Sequence, residues 1–578
     1  MTEQVQNENH ESFNKENSIY ETWQSCNKNH PDLPAIEYFG NQWSFKQCEE
    51  LIDIYARAFL LMLPDKKKSV TFCTPSLPST FFAFYALNKI GVRANFVSHT
   101  ILPSNPNEYI EETDTEILVL FDGFFKAVAP AIKKTKLKKI IIVSLSDGVK
   151  TIPDYVPDKI REYLLKTGTA KLIKIAMPFK KIMSLTKFES IGRKSNFEAK
   201  SVYNKGETAV VLYTGGSTGI PKGVEITNEA TNHLIETYKT ITSITPGDRN
   251  LVLIPPNHPT SFMISLLMPW RYGATQVIQP IYRKETFADD LINTKAQIVM
   301  AAPSHYAALL LKDFKAGDLR SLRSAFCGGE PVTKELAIAI NNVLEKAGAE
   351  RPWLGLGYGM SELGPTVFSA TDETLSHLCN KVGSLIKGVE ARIIDNDGNV
   401  LGNNEKGRLE VRTPYRMKGY YKQPELTAEF FNEDGFAKTG DIAICDENGY
   451  YDVIGRATDS ITAVDGSTVY LFDIERVIYK DNAVWEAEVI GLTCNGKDVP
   501  VVHIVLNSEY RGNDNDVILR LHTLCKEHLS ANEIPQGYKI REVFGTNPIS
   551  AKRDYRALLE ERNGYFVVDG NEVREVEF

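Results

Sequence analysis

Short β-type runs alternate with longer helix-like stretches through most of this chain, and that alternation restricts the fold more than any other feature. SVTFCTP (69–75) precedes STFFAFYALNKIG (79–91), and VRANFVS (92–98) follows. ILVLF (117–121) leads through a helical stretch holding Lys133 and Lys134 to KKIIIVS (138–144). Strand, helix, strand at this spacing makes βαβ units whose strands lie parallel in one sheet. Between about 145 and 200 the pattern degrades into Lys-rich, Pro-interrupted sequence, which fits either a surface insertion or the edge of a lid. It resumes with AVVLYT (209–214), NLVLIPP (250–256), AQIVMAAP (296–303) and SLRSAFCGGE (321–330). Past about 383, ARIIDNDGNVLGNNEKGRLEVRTP sets turn residues between alternating runs, as β-rich structure requires. After about 459 a small α+β unit is expected, with its helix at DNDVILRLHTLCKEHLS (514–530).

A chain of 578 residues exceeds what one hydrophobic core organises, so several cores are expected. The expected class is multidomain α/β. A large N-terminal domain of βαβ-type parallel sheets covers 1–457, with a small β subdomain at about 383–457, and a small α+β domain covers 458–578. Net charge is −8, with 66 basic residues interspersed among 74 acidic ones, which excludes a general nucleic-acid binder. The polar opening MTEQVQNENHESFNKEN has no apolar signal-peptide core, and no run approaches the ~20 apolar residues of a membrane span. Eight cysteines lie far apart without a CxxC pair, as expected of reduced thiols in a cytoplasmic protein. The ten histidines show no metal-ligand spacing.

The chemistry concentrates first at VVLYTGGSTGIPKGVEITN (210–228). Glycines after a strand let backbone N–H groups close around phosphate oxygens, where a Cβ would obstruct them. Thr214, Ser217 and Thr218 add hydroxyls, Gly215, Gly216 and Gly219 supply the freedom, and Lys222 brings a charge. Taken alone, such a stretch is more often a polar turn between two strands. It is not a Walker loop, because Pro221 precedes Lys222 and Gly223 follows it.

The order hydroxyl, Gly-Gly-Ser-Thr-Gly, x, Pro-Lys-Gly closely resembles the phosphate loop of the adenylate-forming enzymes, which include acyl-CoA synthetases, amino-acid adenylation domains and firefly luciferase. The rest of the chain resembles the family in the same order. CGGEP supplies Gly328, Gly329, Glu330 and Pro331; YGMSE supplies Tyr358, Gly359, Met360, Ser361 and Glu362. Thr439-Gly440-Asp441 follows, then GRATD (455–459) and Lys552 within SAKRDYRAL. GNQWSFKQ near residue 40 and GYYKQPELT (419–427) are similar to the family as well.

This resemblance implies that a carboxylate attacks ATP to give acyl-AMP and pyrophosphate, after which a thiol displaces AMP. The carboxylate needs no general base, but two anions must meet, so positive charge and a metal belong at the α-phosphate. The resemblance implies Lys552 as that charge, on a C-terminal domain that swings about Thr458. It implies Glu362, beside Ser361, as the Mg²⁺ ligand, a carboxylate for a hard ion. The loop Thr214–Lys222 is expected to hold the β- and γ-phosphates. Gly329, Glu330, Pro331, Tyr358, Gly359 and Met360 are expected at the adenine, with Asp441 and Arg456 at ribose or phosphate.

Other readings compete residue by residue. Most lysines are solvated, Glu362 alone reads as a helix-start acid, Asp441 as a turn residue, and Tyr358 as core. Amino-acid-activating members place an Asp where IPPNHPTSF has His258, so an α-amino acid is disfavoured. His258 and Gly357, with FMISLLMPW and LGLGYG, are expected to line a pocket for an aliphatic or aryl acid. Thr458 stands where the family usually has Asp or Lys, and Ala551 where Gly usually precedes the lysine. Asp465-Gly466 replaces the usual Gly-Gly of the CoA tunnel, and Leu471 a usual Pro, so coenzyme A as acceptor is less firmly implied than adenylation. The expected activity is a cytoplasmic, AMP-forming acyl-CoA synthetase. The alternatives are an acyl- or aryl-AMP ligase loading a carrier-protein phosphopantetheine, and a degenerate nucleotide-binding protein without turnover.

Overall fold

The computed structural model describes residues 16–63, 65, 68–154, 156–165, 173, 180–214, 221–239, 241–281, 286–329, 332, 334–370, 382–463, 465–494, 496–507, 510–545, 555–570 and 572–578. The chain divides into two compact units. The first takes Met1–Ala391, Val411–Ala437 and Asp446–Asp452; the second takes Arg392–Glu410, Lys438–Cys445 and Val453–Phe578.

Two large sheets build the first unit. In the eight-stranded sheet the order is Gly419–Tyr420, Gly223–Thr227, Thr208–Tyr213, Ala94–Phe96, Ser69–Cys73, Thr115–Phe121, Lys139–Val143 and Lys181–Ser184. The six strands from Thr208–Tyr213 onward pair in parallel, and the two at the other end are antiparallel. The nine-stranded sheet has a parallel centre in which Leu354–Met360, Ser324–Cys327, Ile298–Ala301, Arg249–Val252 and Thr275–Ile278 are successive neighbours. Both expected βαβ units are present: Val70 is register partner to Ala94, and Ile117 to Lys139.

The helix Pro78–Lys89 is buried on every face, unlike an amphipathic helix. Its sequence FFAFYAL supplies apolar side chains all round, and Trp270 packs edge-on against both Phe81 and Tyr85. Pro78 starts the helix where its missing N–H costs nothing.

The described part of the Lys-rich region belongs to the sheet. Lys181–Ser184 forms its last strand, and the helix Leu185–Arg193 packs on the helix Phe45–Met62. That contact is close because Gly192 has no Cβ; one built there would lie 1.9 Å from the Ile54 carbonyl oxygen.

A further sheet joins Glu390–Ile394, Gly407–Arg412, Ala437–Cys445 and Tyr451–Arg456 in that order. In the second unit a five-stranded sheet runs Val484–Cys494, Lys497–Leu506, Gly537–Arg541, Tyr565–Asp569, Glu572–Val576, and the helix Asp514–His528 packs on it through Val517, Ile518 and Leu521. Under this sheet lies a buried polar chain. Arg541 Nε donates to His503 Nδ1 at 2.8 Å, His503 Nε2 meets the Tyr565 hydroxyl at 2.9 Å, and Glu561 pairs with Arg541 and with Lys539. Burial, then the Arg541 charge, pushes the His503 imidazole down to about 3. Burial alone would raise the Glu561 carboxyl, but hydrogen bonds from Arg541 and Lys539 outweigh it and hold the group at about 2.

Candidate functional site

The segment expected to hold phosphate closes an antiparallel hairpin. Thr208–Tyr213 pairs with Gly223–Thr227, Tyr213 opposite Gly223, and the Thr214 N–H donates to the Lys222 carbonyl at 3.0 Å. Gly215, Gly216, Ser217, Thr218 and Gly219 lie outside the described residues. The two ends they connect are therefore held one hydrogen bond apart.

Tyr420, from the two-residue strand Gly419–Tyr420, sits opposite Val224 on this hairpin. The strand is fixed on both flanks: the Lys418 N–H donates to the Glu225 carbonyl and the Tyr421 N–H to the Gly223 carbonyl. Lys222 Nζ lies 5.2 Å from the Tyr420 ring centroid, within cation–π range. The same tyrosine donates its hydroxyl to Glu362 Oε1 at 2.8 Å. Burial, then the neighbouring Glu362 charge, pushes the Tyr420 hydroxyl well above its ordinary range, so it remains a donor at neutral pH.

Glu362 belongs to the turn Ser361–Leu363, between the strands Leu354–Met360 and Gly364–Ala370. Its side chain is buried, and its carbonyl accepts from the Met417 N–H at 2.8 Å. Its second carboxylate oxygen receives no hydrogen bond from a described residue, which leaves a hard oxygen donor of the kind Mg²⁺ takes. Among the described residues no three His, Cys, Asp or Glu side chains converge. Gly359 makes this turn possible. A Cβ there would lie 2.4 Å from the Pro365 carbonyl oxygen and 2.6 Å from Thr366 Cα.

The nine-stranded sheet lines up other expected residues at the carboxyl ends of its parallel strands, where open α/β sheets bind ligands. Gly328 and Gly329 follow Ser324–Cys327, and Gly357, Tyr358 and Met360 lie toward the end of the adjacent strand. Gly329 has φ +90, a conformation that excludes most other residues. Glu330 and Pro331 lie outside the described residues. The half-buried Tyr358 ring stacks on Phe368 at 5.6 Å, and Phe368 stacks in turn on Tyr451 at 4.4 Å.

His258 follows the strand Arg249–Val252 at this same edge and is exposed. Next comes the wide-turn helix Ser261–Leu267, buried throughout. Its Phe262 packs against Phe84 and Phe96 around a small apolar cavity completed by Ser76, Pro256 and Leu266. Leu354 belongs to the core with Ala325 and Cys327 instead.

In the second unit, Asp441 and Arg456 come together, Arg456 Nε 3.0 Å from Asp441 Oδ1. Arg456 Nη1 also donates to the Thr439 carbonyl, and the Thr439 hydroxyl to that of Leu409. Asp441 is buried while the Arg456 side chain is 44% exposed, so the arginine presents charge to solvent from a fixed base. Thr458 is exposed in a turn closed by the Asp459 N–H on the Arg456 carbonyl. Gly466, φ +83, turns a hairpin between Ser460–Thr462 and Thr468–Tyr470, where Asp465 accepts from the Ser467 N–H and hydroxyl. Lys552 lies outside the described residues, which resume at the helix Tyr555–Glu560.

Tyr420 is the residue that sequence reasoning missed. GYYKQPELT resembles the family as a string, but nothing in it says which ring faces Glu362.

Comparison with known proteins covers nearly the whole chain. A long-chain-fatty-acid–CoA ligase of Salmonella typhimurium is 24% identical over 560 residues, covering 95% of each chain. Among solved structures, ATP-bound MatB from Rhodopseudomonas palustris superposes with a TM-score of 0.76 at 19% identity, covering 94% of this chain and 98% of that one. An anthranilate CoA ligase in complex with anthranoyl-AMP gives a TM-score of 0.76 at 18% identity, with 94% and 97% covered. The model of the AMP-binding enzyme family matches residues 23–421, and the chain belongs to that family.

Proposed function

We propose that this enzyme joins an apolar carboxylic acid to coenzyme A at the expense of ATP. A carboxylate oxygen attacks the α-phosphorus and pyrophosphate leaves; the thiol of CoA then attacks the acyl carbon, AMP leaves, and the thiol proton passes to solvent. The grouping of Lys222, Tyr420 and Glu362 in one unit carries the reading, because it places a cation and a buried carboxylate beside the hairpin loop expected to hold phosphate.

Lys222 and the loop hydroxyls bind the β- and γ-phosphates, and Tyr358, backed by Phe368, offers a flat face for adenine. Asp441 and Arg456 take the ribose and its phosphate. Glu362 would hold Mg²⁺, which would supply charge neutralisation on the phosphates. Lys552 donates to the α-phosphate oxygens during attack, then withdraws as the C-terminal part, hinged near Thr458, exchanges it for the thiol channel beside Gly466. The ligase from Salmonella acts on long-chain fatty acids by its name, which supports an apolar acid as the substrate.

Pyrophosphate release measured over a panel of fatty, aryl and amino acids, with and without CoA, tests this. Release with fatty or aryl acids, and CoA-dependent thioester, is expected. Thioester on a holo carrier protein but not on free CoA would replace the acceptor, and no release with any acid would end the proposal.

A further inference from the structure

The strand Gly419–Tyr420 is too short to keep its place by backbone pairing alone. Its two residues pair with Glu225 and Val224, and one hydrogen bond flanks it on each side. Successive side chains of an extended chain point to opposite faces. Tyr420 reaches the buried Glu362 carboxylate, and Tyr421 packs on the core that holds Val211 and Tyr213.

There the Tyr421 ring meets Arg93. The guanidinium carbon lies 4.6 Å from the ring centroid, within cation–π range. Arg93 is a fixed support, because it leads into the strand Ala94–Phe96 and its carbonyl accepts from the Val70 N–H at 3.1 Å. Its Nη2 donates to the Thr113 carbonyl, while its buried Nε has no hydrogen-bond partner among the described residues. Hydrogen bonding therefore explains only part of why a partly buried guanidinium stands here, and the aromatic face explains the rest. Two further contacts close the grip. The Tyr421 hydroxyl donates to the Glu112 carbonyl at 3.2 Å. Lys422, whose φ of +55 is unfavourable for a lysine, turns its Nζ back to that same carbonyl.

We propose that Arg93 is a positioning residue for acyl-AMP formation: it seats Tyr421, and so fixes the hydroxyl that Tyr420 presents to Glu362. It acts through the tyrosine and needs no contact with substrate. What the seated hydroxyl is for rests on the reading of Glu362 as the Mg²⁺ ligand; the seating itself does not.

Single-turnover acyl-AMP formation, titrated with Mg²⁺, tests this in Arg93→Met, Arg93→Lys, Tyr420→Phe, Glu362→Gln and the double variant Arg93→Met/Tyr420→Phe. Arg93→Met should slow acyl-AMP formation about five- to tenfold and raise the Mg²⁺ needed for half-maximal rate by a similar factor. Thioester formation from pre-made acyl-AMP should be unchanged. Arg93→Lys, which keeps a cation against the ring, should recover most of the loss. In the Arg93→Met background, removal of the Tyr420 hydroxyl should cost about twofold or less, because a displaced hydroxyl has little left to lose. Should Arg93→Met fail to fold, Tyr421→Leu removes the same contact from the other side and is expected to give the same pattern. Equal slowing of both half-reactions, no rescue by lysine, or full additivity of the two losses would each overturn the proposal. A Mg²⁺ requirement unmoved in Glu362→Gln would instead overturn the metal reading, and the non-additivity would still report the seating.

Discussion

The Tyr420 hydroxyl donates to Glu362 Oε1 at 2.8 Å, and both side chains are buried. Fifty-eight positions separate them in sequence. A hydrogen bond to a charged group contributes about 1.5–3 kcal/mol. Tyr420→Phe keeps the ring under Lys222 but removes the donor, so acyl-AMP formation should slow roughly ten- to a hundredfold. Thioester formation from pre-made acyl-AMP should be nearly unchanged. Single-turnover assays of each half-reaction check this; equal slowing of both would assign Tyr420 to general stability.

Lys552, in its proposed role, would divide the same two steps more sharply. Loss of one well-placed donor to a developing anion costs about 2.7–4 kcal/mol. Lys552→Ala should therefore abolish measurable acyl-AMP formation while leaving most thioester formation from supplied acyl-AMP. If both halves fell together, the proposed division of labour would be wrong.

Gly359 is a packing requirement rather than a flexible joint. A methyl group would collide with the Pro365 carbonyl and Thr366 Cα, backbone atoms that cannot swing away. Overpacking of this kind costs about 1–3 kcal/mol, and here it would displace the Ser361–Leu363 turn. Gly359→Ala is expected to lower the melting temperature and adenylation together, whereas Gly206→Ala, in open space though at positive φ, should affect stability alone.

Asp441 tests the second unit. Asp441→Asn weakens the hold on Arg456, but the arginine is 44% exposed and stays solvated. The melting temperature should move little, and the KM for ATP should rise about tenfold, as for loss of one charged hydrogen bond. An unchanged KM would leave the Asp441–Arg456 pair a purely structural turn.

His503 sets an acid limit on the second unit. Its folded value, about 3, lies below the ordinary 6.5, so the unfolded chain binds the extra proton between those values. The stability it contributes is complete above about 6.5 and is lost as pH falls toward 3; near pH 5 the loss is roughly 2 kcal/mol. Glu561 adds to this only below about 4.5. Protection of the strand Lys497–Leu506 against hydrogen exchange, corrected for the slower intrinsic exchange in acid and compared at pH 7 and 5, should fall markedly in the wild type and less in His503→Gln.

The sequence made the strands legible where β-branched runs met turn residues, and the family legible where several motifs kept one order. Lys139 and Lys181 show what escaped it. They are partners across a parallel sheet, yet the pattern between them broke at Pro153, Pro157 and Pro178, so the last strand read as part of an insertion or a lid edge. Tyr420 escaped for a related reason: a strand of two residues has no periodicity to detect, and its position depends on hydrogen bonds that Lys418 and Tyr421 donate to the carbonyls of Glu225 and Gly223. The helix Pro78–Lys89 was visible by length but not by face, because it has no polar face.

The hairpin that carries Lys222 has one more consequence. In a Walker loop the chain runs on into a helix whose amino end adds its own electrostatic pull. Here it returns at once to the strand Gly223–Thr227, whose alternating peptide dipoles largely cancel. On the proposed reading, in which this hairpin loop holds the β- and γ-phosphates, grip on the departing pyrophosphate would rest on separate contacts rather than on a helix, and a product that must be shed every cycle is better served by such a clasp than by a permanent field.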